Sequence, residues 1–256
     1  MNSVVAKVYC RALGVGLFVS VQGIAAESLD PPQILPRSAW EALPEDNRLQ
    51  VLQPNGEIKH ISVHHTAVDK LRGDGSAEAE LRIIQRGHRD DNQWGDIAYH
   101  YLIAPDGRIF SGRSPQYAPN SGTRYQSESQ WREAPIFTQE DVARDSRNVG
   151  IGGTKTLPES ATGPRPGHVA GHITICLLGN FMEKEPTDAA KQSFIQLAAY
   201  LLQKYQLTIS DVWLHREVAA TLCPGNQFYA WLRDYPQGER YSLGPGLRSV
   251  QALLKR

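Results

Sequence analysis

The sequence predicts an α/β fold, a single domain with a central mixed β-sheet flanked by helices. Three observations carry this expectation. Short β-rich runs alternate along the chain with segments of helical periodicity, the pattern of strands interleaved with helices. Two of those runs are separated only by a turn at Pro105, Asp106 and Gly107, which reads as a hairpin. The length of 256 residues, 41% hydrophobic and 21% charged, suits one core of moderate size, and no internal repeat divides it.

Taken in order, residues 1 to 26 put Lys7 and Arg11 ahead of an apolar run from about Ala12 to Val21, then the small residues Gly23, Ala25 and Ala26. This is the layout of a secretory signal peptide cleaved near Ala25 or Ala26. The apolar run is shorter than the ~20 residues a spanning helix needs, so no stable membrane insertion is expected after cleavage. Residues 27 to 256 then form the domain. Its first part, through residue 56, is rich in Pro and charge and reads as an extended lead-in around "ILPRSAWEALP". Residues 57 to 66 have the β-branched content of a strand. From Ser76 to about Asp91 a helix is expected, with Ser76 as N-cap, Glu78 and Glu80 in the first turn, and Leu81, Ile84 and His88 along one face. The hairpin "DIAYHYLIAPDGRIFSGR" follows.

Residues 114 to 165 break the pattern. They are polar and dense in Ser, Gly, Pro, Arg and Gln, with one brief helical turn at "PIFTQEDVA", and read as a long inserted loop at the rim of the domain. "GIGGTKT" within it has Thr154 where a phosphate-binding loop has Gly before the Lys, and no strong strand leads into it, which argues against a nucleotide site. Order resumes at "HITICLLGNF". A helix is expected from Thr187 to Gln206, with Thr187 as N-cap and Phe194, Leu197, Ala198, Leu201, Leu202 and Tyr205 at helical spacing. A strand "DVWLH", a loop through Cys223, Pro224 and Gly225, a helix near Phe228 to Asp234 and a last helix from about Gly246 complete the chain.

Removing residues 1 to 26 takes Lys7 and Arg11 from the 27 basic residues and none of the 27 acidic ones, leaving 25 against 27. A near-neutral chain without a clustered basic face gives no reason to expect a nucleic-acid partner. Export, to the periplasm or the medium, leaves Cys176 and Cys223, either as one disulfide or as one metal ligand and one buried thiol.

The residues that could carry chemistry start with "EIKHISVHHTAV". Side chains alternate along a strand, so His60, Ser62 and His64 share one face while Ile61, Val63 and His65 share the other. Since Ile61 and Val63 mark the apolar side, His64 is the better site candidate and His65 a packed or supporting residue. Histidines satisfied by local hydrogen bonds are the competing reading. In "LHREVAATLCPG", His215 ends a predicted strand and Cys223 lies eight residues on, in a turn closed by Pro224 and Gly225. Imidazole and thiolate are usual zinc ligands, and three of them with an open fourth position make a catalytic site.

The motifs "ILPRSAWEA", "ISVHHTA", "IIQRGH", "GDIAYHYLIAPDGRIFSGR", "GHVAGHITICLLGNF" and "LHREVAATLCPG" run in the order found in the zinc-dependent N-acetylmuramoyl-L-alanine amidases of the phage-amidase and peptidoglycan recognition protein superfamily, which this chain resembles over most of residues 34 to 235. The resemblance implies that superfamily's fold, with His64, His215 and Cys223 as Zn2+ ligands, Tyr99 as a catalytic hydrogen-bond donor and Thr221 helping to stabilise the oxyanion. It implies peptidoglycan or muropeptide as substrate and a monomeric enzyme. Members that only bind peptidoglycan commonly lack the cysteine, so Cys223 favours an enzyme over a recognition module. "GHVAGHITI" is shorter than the corresponding stretch of relatives, and His168 and His172 in it line the groove or serve the structure.

Overall fold

The computed structural model describes residues 28–46, 52–120, 170–218, 221–234 and 242–256. Six strands form one sheet in the order β1-β4-β3-β5-β2-β6. They are β1 (Ile34–Leu35), β2 (His60–His65), β3 (Tyr101–Ile103), β4 (Ile109–Ser111), β5 (His172–Leu177) and β6 (Val212–Leu214). Among these strands of the described residues, only β3 and β4 pair antiparallel; β1 with β4, and β3, β5, β2 and β6 in succession, pair parallel. The sheet is therefore mixed, as expected. Its central strands β2 and β5 are almost wholly buried, which explains their near-continuous apolar and β-branched sequence.

One face is aliphatic. Ile61, Val63, Ile173, Ile175, Leu177, Val212 and Leu214 pack under α2 (Asp188–Lys204), α4 (Asn226–Leu232) and α5 (Pro245–Leu254), through Phe194, Leu197, Leu201, Phe228 and Val250. Thr187 caps α2 by accepting the Ala190 N–H. A further short helix, α3 (His215–Val218), continues directly from β6.

The other face is divided. Over β3 and β4, α1 (Ala77–Arg86) seals Leu102, Phe110 and Cys176 with Leu81, Ile84, Ile97 and Trp40. Ser76 caps α1 as expected, its hydroxyl accepting the Ala79 N–H at 3.1 Å. The helix ends earlier than its sequence suggests, because residues Gly87–Asp91 widen into a π-helical turn. Such turns often mark functional sites. Over β2, β5 and β6 the same face carries His60, Ser62, His64, His172, Thr174 and Trp213, side by side through the pairings His60–His172, Ser62–Thr174, His64–Cys176 and Ser62–Trp213.

The inserted loop lies mostly outside the described residues, as do residues 1 to 26, the "PIFTQEDVA" turn and His168. Its first residues are tied down: the Asn55 and Ala118 amides donate to Gln116 O and Gln53 O, and His100 Nε2 lies 2.9 Å from Tyr117 O.

Candidate metal centre

His64 stands near the C-terminal end of β2, His215 immediately after β6, and Cys223 in the loop that follows α3. Parallel strands aim their C-terminal ends at one crevice, the usual place for a ligand in an α/β sheet. One donor atom from each of His64, His215 and Cys223 lies within 4.8 Å of the other two. The His64 and His215 rings are 4.5 Å apart, and Cys223 Sγ is 3.8 Å from His64 Nδ1. Tetrahedral zinc with one sulfur and one nitrogen ligand sets that edge at about 3.6 Å.

Local sequence explains each placement. His64 is 1% exposed, fixed by a buried strand paired on both sides. The turn at His215 is held from beneath by Glu217, whose carboxylate accepts the Leu214 N–H at 2.9 Å and two bonds from Arg233 at 2.7 and 3.0 Å. Arg233 also donates to Val212 O, so the ion pair straps β6 to α3 and α4. At Cys223 the loop turns through Gly225 with φ +95°, where a side chain would meet Phe181 O at 2.6 Å. The His65 N–H donates to Cys223 Sγ at 3.4 Å.

The electrostatics suit a cation. Burial first, then His215, His65 and His172, hold the His64 imidazole well below its usual pKa, so it is neutral and can offer a lone pair. Burial pushes the Cys223 thiol up to about 12, against the His65 amide and Arg216, which pull it down. A metal taking this site must displace that proton. Both cysteines are free, so the disulfide alternative does not hold.

Tyr99 adjoins the set, its ring 5.4 Å from that of His64. Burial, then the two cysteines, raise the phenol well above its usual pKa and keep it a proton donor. Its backbone is fixed by the Arg113 N–H donating to Tyr99 O, and Gly112 is required there because a Cβ would fall 2.2 Å from that oxygen. Thr221 Oγ1 accepts the Cys223 N–H at 3.1 Å, so it shapes the Cys223 loop. His65 points to the aliphatic side, where Nδ1 accepts the Phe181 N–H at 3.4 Å.

Sequence reasoning did not single out Cys176 or Trp94 as neighbours of this site, and placed His88 only on a helix face. His88 sits between Trp94 and Tyr99, with ring separations of 4.9 and 5.7 Å, and accepts the Ala98 N–H through Nδ1. Only the pairing of β5 with β2, invisible in one sequence, puts Cys176 opposite His64. His172 lies apart from the three donors, with His60 and Trp213.

Comparison with known proteins gives the class. The family model described as N-acetylmuramoyl-L-alanine amidase (Amidase_2) matches residues 54–226, and the chain belongs to that family, within the phage-amidase and peptidoglycan recognition protein superfamily. Among curated relatives, peptidoglycan recognition protein 1 of Mus musculus is 25% identical over 203 residues, spanning 79% of this chain and 87% of that protein. An N-acetylmuramoyl-L-alanine amidase of Homo sapiens is 27% identical over 214 residues, 80% of this chain but 28% of the larger protein. The fold matches Drosophila peptidoglycan recognition protein SD with a TM-score of 0.54 at 20% identity, covering 84% of this chain and 99% of that one. It also matches peptidoglycan recognition protein LE, solved with tracheal cytotoxin, a monomeric diaminopimelic acid-type peptidoglycan, at 0.54 and 19%.

Proposed function

We propose that this protein is a zinc-dependent N-acetylmuramoyl-L-alanine amidase, hydrolysing the amide between the lactyl group of N-acetylmuramic acid and the L-alanine of the stem peptide. The observation that carries this reading is the convergence of His64, His215 and Cys223 donor atoms within 4.8 Å. Two imidazoles and one thiol fit zinc in kind and number, and leave a fourth tetrahedral position for the reaction. Zinc supplies Lewis acidity there, acidifying water and polarising a carbonyl. Tyr99, held as a neutral phenol, donates a hydrogen bond to the oxygen on which charge develops; a preorganised donor of this kind is worth about 3 to 4 kcal/mol of barrier. Thr221 contributes by fixing the Cys223 turn, with any contact to the oxyanion secondary to that.

The substrate class follows from family membership, and from the muropeptide named in the related complex. On the sequence pattern we infer export, with residues 1–26 as signal and 27–256 as one catalytic domain acting as a monomer on peptidoglycan outside the cytoplasm; among the described residues no helix is long and apolar enough to cross a membrane.

Mass spectrometry of purified peptidoglycan after digestion tests the assignment. The expected products are stem peptides with a free L-alanine amino terminus and glycan strands without new reducing ends. Amino groups freed deeper in the stem would make the protein a peptidase, and binding without any product would make it a recognition module.

A further inference from the structure

Arg216 follows a proposed ligand directly, yet it is not a surface arginine. It is 8% exposed. Burying a guanidinium is costly unless it is hydrogen-bonded, and Nη2 and the guanidinium face find partners in the Cys223 loop and in α4. Nη2 donates to Leu222 O at 2.6 Å and to Asn226 Oδ1 at 2.9 Å, and the guanidinium lies 4.8 Å from the centre of the Tyr229 ring. The Arg216 backbone N–H donates to Cys223 O at 2.9 Å. One residue thus spans from the turn bearing His215 to the residues on both sides of Cys223.

We infer that Arg216 is a positioning residue of the metal centre, its guanidinium Nη2 locking the Cys223 loop to the His215 turn so that the thiol is held beside His64 before a metal arrives. The inference rests on the zinc reading for its consequence, though not for its geometry. Cys223 is the one donor of the three carried by a loop, so its placement depends most on such a clamp. Leu222 O takes both the Arg216 bond and the Gly225 N–H at 2.7 Å, so Nη2 fixes the same carbonyl that shapes the turn. The benefit comes through geometry. A guanidinium has the same sign as zinc, and its charge alone does not attract the ion.

The test uses the full chain with Arg216→Met and Arg216→Lys. Lysine keeps the charge but lacks the planar guanidinium that lies over Tyr229 and carries Nη2. Two quantities are read: the alkylation rate of Cys223 in metal-free, reduced protein, by peptide mass spectrometry with Cys176 as internal reference, and the zinc dissociation constant by chelator competition. Both variants are expected to label Cys223 several-fold faster at an unchanged Cys176 rate, and to bind zinc about 10- to 100-fold more weakly, the usual loss when a ligand's outer partner is removed. Unchanged labelling and affinity would overturn the inference, and full restoration by lysine would overturn the geometric account. If neither variant folds, Asn226→Ala removes one acceptor and should give a smaller change of the same sign in both quantities; no change would count against the clamp. If the unsubstituted protein binds no zinc while Cys223 labelling still rises in the variants, the clamp stands and the zinc reading fails.

Discussion

The two faces of strands β2, β5 and β6 are made from alternate residues of the same short segments, and both are buried except at the half-buried His60. One reads Ile61, Val63, Ile173, Ile175, Val212 and Leu214; the other reads His60, Ser62, His64, His172, Thr174 and Trp213. The aliphatic face needs nothing from its neighbours except shape, and its burial drives folding. The polar face gains no comparable transfer energy, and each buried polar atom on it costs free energy unless it is hydrogen-bonded. His100 and Thr174 show how: the Thr174 N–H donates to His100 Nδ1 at 3.0 Å, the His100 N–H donates to Thr174 Oγ1 at 2.9 Å, and His100 Nε2 reaches Tyr117 O. Stability is thus concentrated on one side of the sheet and chemistry on the other, and substitutions on the two sides should separate the two.

The largest effect is expected at the proposed ligands. His64→Ala, His215→Ala and Cys223→Ser should each abolish turnover and stoichiometric zinc binding while far-ultraviolet circular dichroism stays native-like; full zinc content in Cys223→Ser would remove it from the centre. His65→Ala, by contrast, should keep most bound zinc, because the His65 contact to Cys223 Sγ is made by its backbone N–H. On the aliphatic face, Ile175→Ala should cost about 2 to 5 kcal/mol in chemical denaturation, with zinc affinity per folded molecule unchanged.

Tyr99→Phe removes one hydroxyl at the border of the two regions. Folding and zinc content should survive while kcat falls about a hundredfold, the loss typical of one oxyanion donor. An unaltered kcat would return Tyr99 to a packing role.

Acid should act through the buried imidazoles. Burial lowers His65 and His100 to about 4 and His172 to about 3, against 6.5 for an unperturbed imidazole. Their folded pKa values lie below the unfolded ones, so the stability they confer is present above about pH 6.5 and is lost as pH falls toward 4. Protonating His100 also turns the acceptor of the Thr174 N–H into a donor. A denaturation midpoint measured from pH 7.5 to 4 should fall most steeply below 6.5; a flat profile would show that these imidazoles are not buried neutral.

The smallest effect is expected at Ser62, whose hydroxyl has no partner among the described residues although it is 1% exposed. Ser62→Ala should shift stability by no more than about 0.5 kcal/mol, since no hydrogen bond is lost. A cost above 1 kcal/mol would reveal a partner for that hydroxyl.

Much of this division was legible in the sequence. Alternation in "HISVHH" separated His64 from His65, and the structure sends His65 to the side of Phe181 as the alternation requires. Ser76 and Thr187 were readable as helix caps because a capping hydroxyl is a local interaction. What one sequence does not encode visibly is register. That Cys176 lies opposite His64, and that Glu217 and Arg233 brace the His215 turn, depends on contacts between residues far apart in the chain. The π-helical turn at Gly87 was equally invisible, since its residues continue an ordinary helical pattern.

The most direct measurement is the return of activity to metal-stripped protein as zinc is titrated in, followed by release of L-alanine amino termini from a defined muropeptide. A single catalytic zinc at His64, His215 and Cys223 predicts no turnover in chelator, a linear rise to one equivalent of zinc and a plateau beyond it. Turnover that survives complete removal of the metal, or that rises identically in Cys223→Ser, would contradict it.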